Sequence, residues 1–357
     1  MKISILGNNL TSLTLAKTLT NQGIAVDIFS DKKKKKFDNN QTLGISKTNV
    51  DFFNKNITNI NKFLWKIKRI NIYSENFNNN KILDFKNAHD HLFSVVRNQD
   101  LYNHLFVNLN RCKLIRFKKT ISLKRLLRNN YDLIFNCDHS NLIAKKFFHN
   151  KIEKNYNTFA HVTTFKHKKL SNNNIAYQVF TKDGPLAFLP ISSFETSVVY
   201  SAKEKKNENL VYLINKYKKE YKILNINKIT SFELKSSNLR SYYFQNIIAF
   251  GDLLHRLHPL AGQGFNMSIR DIKEIHKLIE FKKVHGLGLD KSICYDFEKK
   301  IKNKNYLFSS GIDFIYEFFK LESNLNTSAL SKLVKFLGKK EKINKFFTKS
   351  ADSGIVI

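Results

Sequence analysis

Residues 251–266 read GDLLHRLHPLAGQGFN, and this stretch decides the fold. The chain has three prolines and twelve glycines in 357 residues, yet Pro259, Gly251, Gly262 and Gly264 all fall here. In a composition so poor in both, they mark places where backbone geometry demands them. The apolar run Ile247 to Phe250 predicts a strand that delivers Gly251 and Asp252 to the carboxyl edge of a sheet. There a carboxylate can accept hydrogen bonds from a sugar-like hydroxyl. Gly262 and Gly264 allow the backbone to approach a ligand closely. Phe265, Ile269, Ile272, Ile275 and Ile279 then follow at amphipathic-helix spacing. The start of that helix offers unpaired N–H groups and a positive dipole end. Such an end suits a phosphate, or a ring that becomes anionic on reduction. The same spacing also describes a tight strand-to-helix turn with no ligand.

Outward from this stretch, the N-terminus reads as strand, turn, helix and strand. Lys2 to Leu6 is a short apolar run. Gly7 follows, then Leu10, Leu13, Leu15, Ala16 and Leu19 at helical spacing. Gly23 stops the helix, and Ile24 to Phe29 forms a second strand. This βαβ unit suits a dinucleotide-binding domain. The three positions that are glycine in a dinucleotide fingerprint are Gly7, Asn9 and Ser12. Asn9 is expected to keep the turn by tolerating positive φ, and Ser12 to loosen the packing of helix on strand. Ser30 stands where an acidic residue is expected, with Asp31 one place later to reach a ribose.

Further along, Trp65 with Ile67 to Tyr73, and Phe93 to Val96, suggest strands. Gln99 to Leu109 has helical spacing, and Asp132 to Cys137 suits a parallel strand. From about residue 157 to 202, Phe159 to Phe165, Ile175 to Phe180, Leu186 to Ile191 and Ser197 to Tyr200 are strand-like, with no helix between them. That predicts a separate antiparallel sheet. The chain beyond about residue 291 reads as helical and rich in lysine.

The net charge is +32. The lysines are dispersed, so no nucleic-acid partner is expected. The run Lys32 to Lys36 reads as a solvated loop. A basic surface suits anionic membranes, by about 1 kcal/mol per well-placed cation. Cys112, Cys137 and Cys294 stand far apart, which fits a reduced compartment and offers no metal spacing. No apolar run reaches the ~18 residues of a membrane span, and the N-terminus lacks signal-peptide features. A cytoplasmic protein is expected, peripheral to the inner face of the membrane if it meets lipid at all.

With Asp271 as its last position, the 251–271 segment resembles the second FAD motif of the class A flavin monooxygenases. Gly184 to Pro190, GPLAFLP, is similar to a segment of their ubiquinone-biosynthesis hydroxylase subgroup. The resemblance runs from Lys2 to near Gly354. It implies an α/β fold: a Rossmann-like FAD-binding domain, an inserted antiparallel β-sheet substrate domain and a helical C-terminal tail. The implied FAD-binding domain comprises residues 1–60, 90–150 and 240–290. The substrate domain comprises 61–89 and 151–239, and the helical region 291–357.

The resemblance further implies hydroxylation of the aromatic ring of a polyprenylated ubiquinone-biosynthesis intermediate, using FAD, NAD(P)H and O2. Other proteins of that pathway would be partners. Asp252 would bind the ribityl region, and Pro259 to Asn266, with Gly262, Gln263 and Gly264, would line the isoalloxazine ring. Gly7, Asn9, Ser12, Asp31, Asn98, Asp138 and Gly251 complete the implied cofactor set. Phe188, Leu189 and Pro259 are candidates for the substrate pocket, although core packing accounts equally well for the apolar residues of the sheet. His255 and His258 read as positional, and no residue is assigned a catalytic role. The family pattern is broken at Gln41 for arginine, His139 for glycine, and Leu253 and Leu254 for alanines. Two other readings stay open: a non-catalytic relative acting as an assembly partner, and a different FAD oxidoreductase.

Overall fold

Lys2–Leu6 and Ala25–Phe29 are buried strands, and Leu10–Asn21 is the helix between them. The strands pair in parallel, from Lys2↔Ala25 to Leu6↔Phe29. A parallel pair needs a crossover, which the helix supplies. In this computed structural model, residues 1–31, 40–86, 90–203, 210–218, 220–258, 262–325 and 327–338 are described.

The unit is the centre of a six-stranded sheet. Its order is Tyr243–Phe244, Ile247–Ala249, Leu133–Asn136, Lys2–Leu6, Ala25–Phe29 and Ile115–Lys118. Every pairing is parallel except the terminal hairpin at Tyr243–Phe244. The helices Leu10–Asn21, Asn98–Asn110 and Gln263–Val284 bury their apolar residues in the same core as these strands. Successive connections leave the first strand toward opposite sides. The carboxyl ends of Lys2–Leu6 and Leu133–Asn136 therefore flank a crevice, where open α/β sheets bind ligands.

The second sheet has nine strands, seven of them from the segment between residues 151 and 239 or its near neighbours. Lys151–His167 is its long central strand, between Thr230–Leu239 and Glu195–Ala202. Pro185–Ser192, Ile175–Phe180, Arg69–Ser74 and Asn80–Lys86 continue it. The expectation of a purely antiparallel sheet needs one correction, because Ile175–Phe180 pairs in parallel with Arg69–Ser74. The chain between these two strands passes through elements of all three sheets, so no tight hairpin imposes their relative direction.

The glycine–proline segment has a structural cause in this sheet. Gly184 has φ +146°, and a Cβ there would lie 2.0 Å from the carbonyl oxygen of Ser201. Pro185 opens its strand, and Pro190 sits at a register shift against Glu195–Ala202. Strand starts and bulges are where a sheet tolerates proline. A three-stranded sheet, Thr42–Ser46, Phe93–Arg97 and Trp65–Ile67, lies between the two larger ones. The Thr42 hydroxyl donates across this boundary to Ser197 Oγ at 2.9 Å.

The C-terminal part is helical, with Ser292–Asn324 and Ala329–Gly338. The long helix packs on Gln263–Val284 and, through Tyr316, on Tyr156 of the second sheet. The short helices Leu123–Arg128, Leu142–Phe147 and Leu210–Tyr217 are absent from the sequence reading. They are too short to show a helical period.

Candidate cofactor site

Three loops meet at the carboxyl edge of the six-stranded sheet. Gly7 has φ +105°, and a Cβ there would sit 3.3 Å from Asp138 Cβ. The Cys137 N–H donates to the Leu6 carbonyl at 2.9 Å, so the two strand ends stay paired up to the turn. Gly251 has φ +62°, and its Cβ would lie 3.1 Å from Thr11 Cγ2 at the start of the first helix. Both glycines thus serve the close approach of protein to protein.

Asn9 does not use positive φ. It is extended, at φ −105° and ψ 177°, and it caps the first helix. Its Oδ1 accepts from the Ser12 N–H at 2.9 Å and from the Ser12 hydroxyl at 3.0 Å. Its Nδ2 donates to the Cys137 carbonyl at 2.8 Å. Ser12 is fully buried and completes this reciprocal cap. An N-cap residue favours the extended region because its side chain must reach the third helical N–H.

Two carboxylates lie near Cys137. Asp252 is exposed, in the single turn Gly251–Leu253. Asp138 Oδ1 accepts from the Ser140 N–H at 2.8 Å and from its hydroxyl at 2.6 Å. Burial pushes the Cys137 thiol up to about 12, the charges of Asp252 and Asp138 push the same way, and a hydrogen bond with Ser12 opposes them. Cys137 is therefore a buried protonated thiol and not a nucleophile. Asp31 is exposed just beyond Ala25–Phe29.

The other end of the site is built on the helix Gln263–Val284. Gly262 precedes it at φ +62°, and among the described residues no side chain caps it. A Cβ on Gly264 would meet nothing within 4 Å among the described residues, so they leave this face of the helix start open. Asn266 is different. Its Nδ2 donates to the Gly44 carbonyl at 2.8 Å, while its Oδ1 accepts from the Ser46 N–H at 2.8 Å and from Asn49 Nδ2 at 2.9 Å. The side chain expected along a ring edge is engaged within the protein, tying the helix to Thr42–Ser46. Asn98 lies on the same side, its N–H donating to the Gln41 carbonyl at 3.0 Å.

Asn98 Oδ1 and Gln263 Oε1 are buried with no hydrogen-bond partner among the described residues. Buried polar atoms are nearly always satisfied, by protein, water or ligand. An uncapped helix start, an open face at Gly264 and two orphaned acceptors fit a flavin ring with its N–H edge. Pro259, assigned to both ring and substrate, lies outside the described residues, as do Leu260 and Ala261.

The two histidines before that loop are structural. His255 Nε2 pairs with Asp271 Oδ2, both buried, and Asn305 Nδ2 donates to Asp271 Oδ1 at 3.0 Å. The His258 ring lies 4.7 Å from the Tyr156 ring and 4.4 Å from that of Tyr316. Burial, helped by the Lys154 charge, pushes its pKa down to about 4, so it is neutral at neutral pH. The Tyr156 hydroxyl donates to Asp313 and lies within hydrogen-bond distance of Ser236 Oγ, at 3.0 Å. The long C-terminal helix thereby reaches the start of the loop.

Phe188 and Leu189 point to opposite faces of the second sheet, as neighbours on a strand must. Phe188 is fully buried with Leu186, Val198 and Tyr221 on the face covered by Leu210–Tyr217. That burial matches the core-packing account of Phe188. Leu189 is half-buried against Trp65, Ile67 and Val95, on the face toward the three-stranded sheet. The sequence reading missed the Asn9–Cys137 bridge, the Asn266–Gly44 tie and the ion pair of Arg97 with Glu195. No spacing signal points from one of these residues to its partner.

No family model matches the chain. Among curated proteins it is similar to a mitochondrial ubiquinone biosynthesis monooxygenase of Schizosaccharomyces pombe, 23% identical over 275 residues, covering 62% of this chain and 57% of that protein. It is also similar to the 3-demethoxyubiquinol 3-hydroxylase of Escherichia coli, 26% identical over 154 residues, covering 40% of this chain and 39% of that protein. The chain spans about half the length of the curated relatives it matches. Among solved structures, p-nitrophenol 4-monooxygenase from Pseudomonas putida superposes with a TM-score of 0.78 at 11% identity, over 99% of this chain and 98% of that one. HpxO of Klebsiella pneumoniae, solved with FAD and uric acid, gives 0.73 at 12% identity, over 99% and 97%. The chain is thus similar in sequence to ubiquinone-biosynthesis hydroxylases and shares the fold of these monooxygenase structures.

Proposed function

We propose that this chain binds FAD and hydroxylates the aromatic ring of a polyprenylated ubiquinone-biosynthesis intermediate, with NAD(P)H as reductant and O2 as co-substrate. The observation that carries the reading is the ring end of the site. There the helix start at Gln263 has no side-chain cap and no neighbour for a Cβ at Gly264 among the described residues, and it carries the buried orphan Gln263 Oε1; Asn98 Oδ1 is a second orphan. The homology to ubiquinone-biosynthesis hydroxylases supplies the substrate class.

Bound FAD would supply the electron and oxygen chemistry, and the protein would orient it and exclude water. Asp252, exposed at the sheet edge, would accept hydrogen bonds from ribityl hydroxyls. The start of the helix Gln263–Val284 would stabilise negative charge on the ring. Asn98 and Gln263 would accept from its N–H groups. Leu189 faces the three-stranded sheet and would help wall off the substrate. His258 stays neutral and positions the loop that follows it. The division into a cofactor domain (1–60, 90–150 and 240–290), a substrate domain (61–89 and 151–239) and a helical region (291–357) belongs to this reading.

No helix among the described residues is long and apolar enough to cross a membrane. A charge of +32 would favour peripheral contact with anionic lipid, where a polyprenylated substrate resides. Sedimentation with anionic vesicles at low salt tests that contact, and its absence would remove it from the reading.

The absorption spectrum of the protein mixed with FAD tests the cofactor. Bound oxidised-flavin bands, followed by NAD(P)H-dependent hydroxylation of a polyprenylated phenol, are expected. A protein that ignores excess FAD would overturn the hydroxylase and leave a second reading, an assembly partner without catalysis. The self-capped turn at Asn9 is what favours that second reading.

A further inference from the structure

A dinucleotide's diphosphate binds at a glycine-rich turn because a helix start offers free N–H groups and the second glycine leaves no side chain in the way. In this chain the turn makes those bonds for itself. Asn9 Oδ1 takes the Ser12 N–H at 2.9 Å, and Asn9 Nδ2 reaches the Cys137 carbonyl at 2.8 Å. The side chain therefore runs from the turn after Lys2–Leu6 to the end of Leu133–Asn136, across the crevice between the two strand ends. The turn is tight as well, with Gly7 hard against Asp138. Asp138 and Asp252 both act on Cys137 at this point, and their negative charge opposes that of a diphosphate.

We infer that Asn9 is an internal stand-in for the diphosphate and sets the chain's affinity for FAD. The dinucleotide enters by displacing the Asn9 bridge, and without it the bridge keeps the first helix capped. The inference rests on the FAD reading and deepens it. Each hydrogen bond given up lowers affinity by up to about tenfold.

The test uses the full chain stripped of flavin and titrated separately with FAD, ADP and riboflavin. Asn9→Gly keeps an acceptable N-cap and removes the bridge; Asn9→Ala removes it with a small side chain left. Asn9→Gly is expected to bind FAD and ADP about tenfold tighter or better, with Asn9→Ala shifted the same way by less. Riboflavin, which carries no phosphate, is expected to bind the three proteins equally. If both variants bind FAD and ADP no tighter than the parent, Asn9 is an ordinary helix cap; the inference falls and the FAD reading stands. An equal gain for riboflavin would also overturn it, since the effect would not act through the phosphates. If none of the three proteins binds any of the ligands, the FAD reading falls as well.

Discussion

Two helix starts lie along one sheet edge, and they are held in opposite ways. Among the described residues, the start at Gln263 has no side-chain cap, an open face at Gly264 and a buried acceptor, Gln263 Oε1, that lacks a partner. The start at Leu10 is capped on both sides by Asn9 and Ser12, and Asn9 is tied to the neighbouring strand. The helix that begins at Gln263 also carries Asp271, buried and paired with His255; the start at Leu10 is held by the amide of Asn9 and the hydroxyl of Ser12. The difference separates two uses of glycine. Gly7 and Gly251 are kept because Asp138 and Thr11 press against them. A Cβ on Gly264 would meet nothing within 4 Å among the described residues, so packing there does not call for glycine. Where a glycine's place went to Asn9, a side chain took over bonds that a ligand would make.

The largest effect expected at the ring end comes from its buried pair. Asp271→Ala leaves His255 Nε2 and Asn305 Nδ2 without their acceptor in the core, and each such loss costs about 1–3 kcal/mol. Thermal or denaturant unfolding would show it, and a cost below about 1 kcal/mol would mean that the pair does not hold this end.

Acid should act in the same region. The folded pKa of His258, about 4, lies below its ordinary 6.5, so the unfolded chain takes up a proton there more readily. Its contribution to stability is present above pH 6.5 and is lost as pH falls toward 4, by up to about 3 kcal/mol. His258→Phe should flatten the loss of stability between pH 7 and 5. An unchanged slope would place the acid sensitivity elsewhere.

Gly264→Trp should fill the open face and weaken FAD binding on the order of 100-fold, equivalent to about 2.7 kcal/mol. Its unfolding midpoint without FAD should match the parent's. Full FAD affinity in this variant would break the contrast between the two helix starts.

The smallest effects come from alanine. Gly251→Ala forces a Cβ against Thr11 at positive φ, costing about 1–2 kcal/mol. Gly264→Ala meets open space in a helix and should change stability by less than about 1 kcal/mol, in the stabilising direction. Equal costs for the two would mean that both glycines are there for packing.

Much of the architecture was legible in the sequence. The strand–glycine–helix–strand start, the antiparallel run after residue 157 and the 251–271 segment all follow from local period and from rare glycines and prolines. GPLAFLP was legible as a motif, but its cause was not, since the Ser201 carbonyl that excludes a Cβ at Gly184 belongs to another strand. Alternation along Pro185–Ser192 says that Phe188 and Leu189 oppose each other; it does not say which face meets the site.

By itself, then, the sequence determined the order and type of the main elements and the two helix starts at the sheet edge. Periodicity and backbone preference are local properties, readable within one turn or strand. Only the tertiary structure decided what the polar side chains do. Asn9 finds its carbonyl 128 residues away, and Asn266 reaches a strand 222 residues earlier. The parallel pairing of Arg69–Ser74 with Ile175–Phe180 is equally non-local. A hydrogen bond joins whatever folding brings within about 3 Å, and no spacing along the chain encodes that meeting.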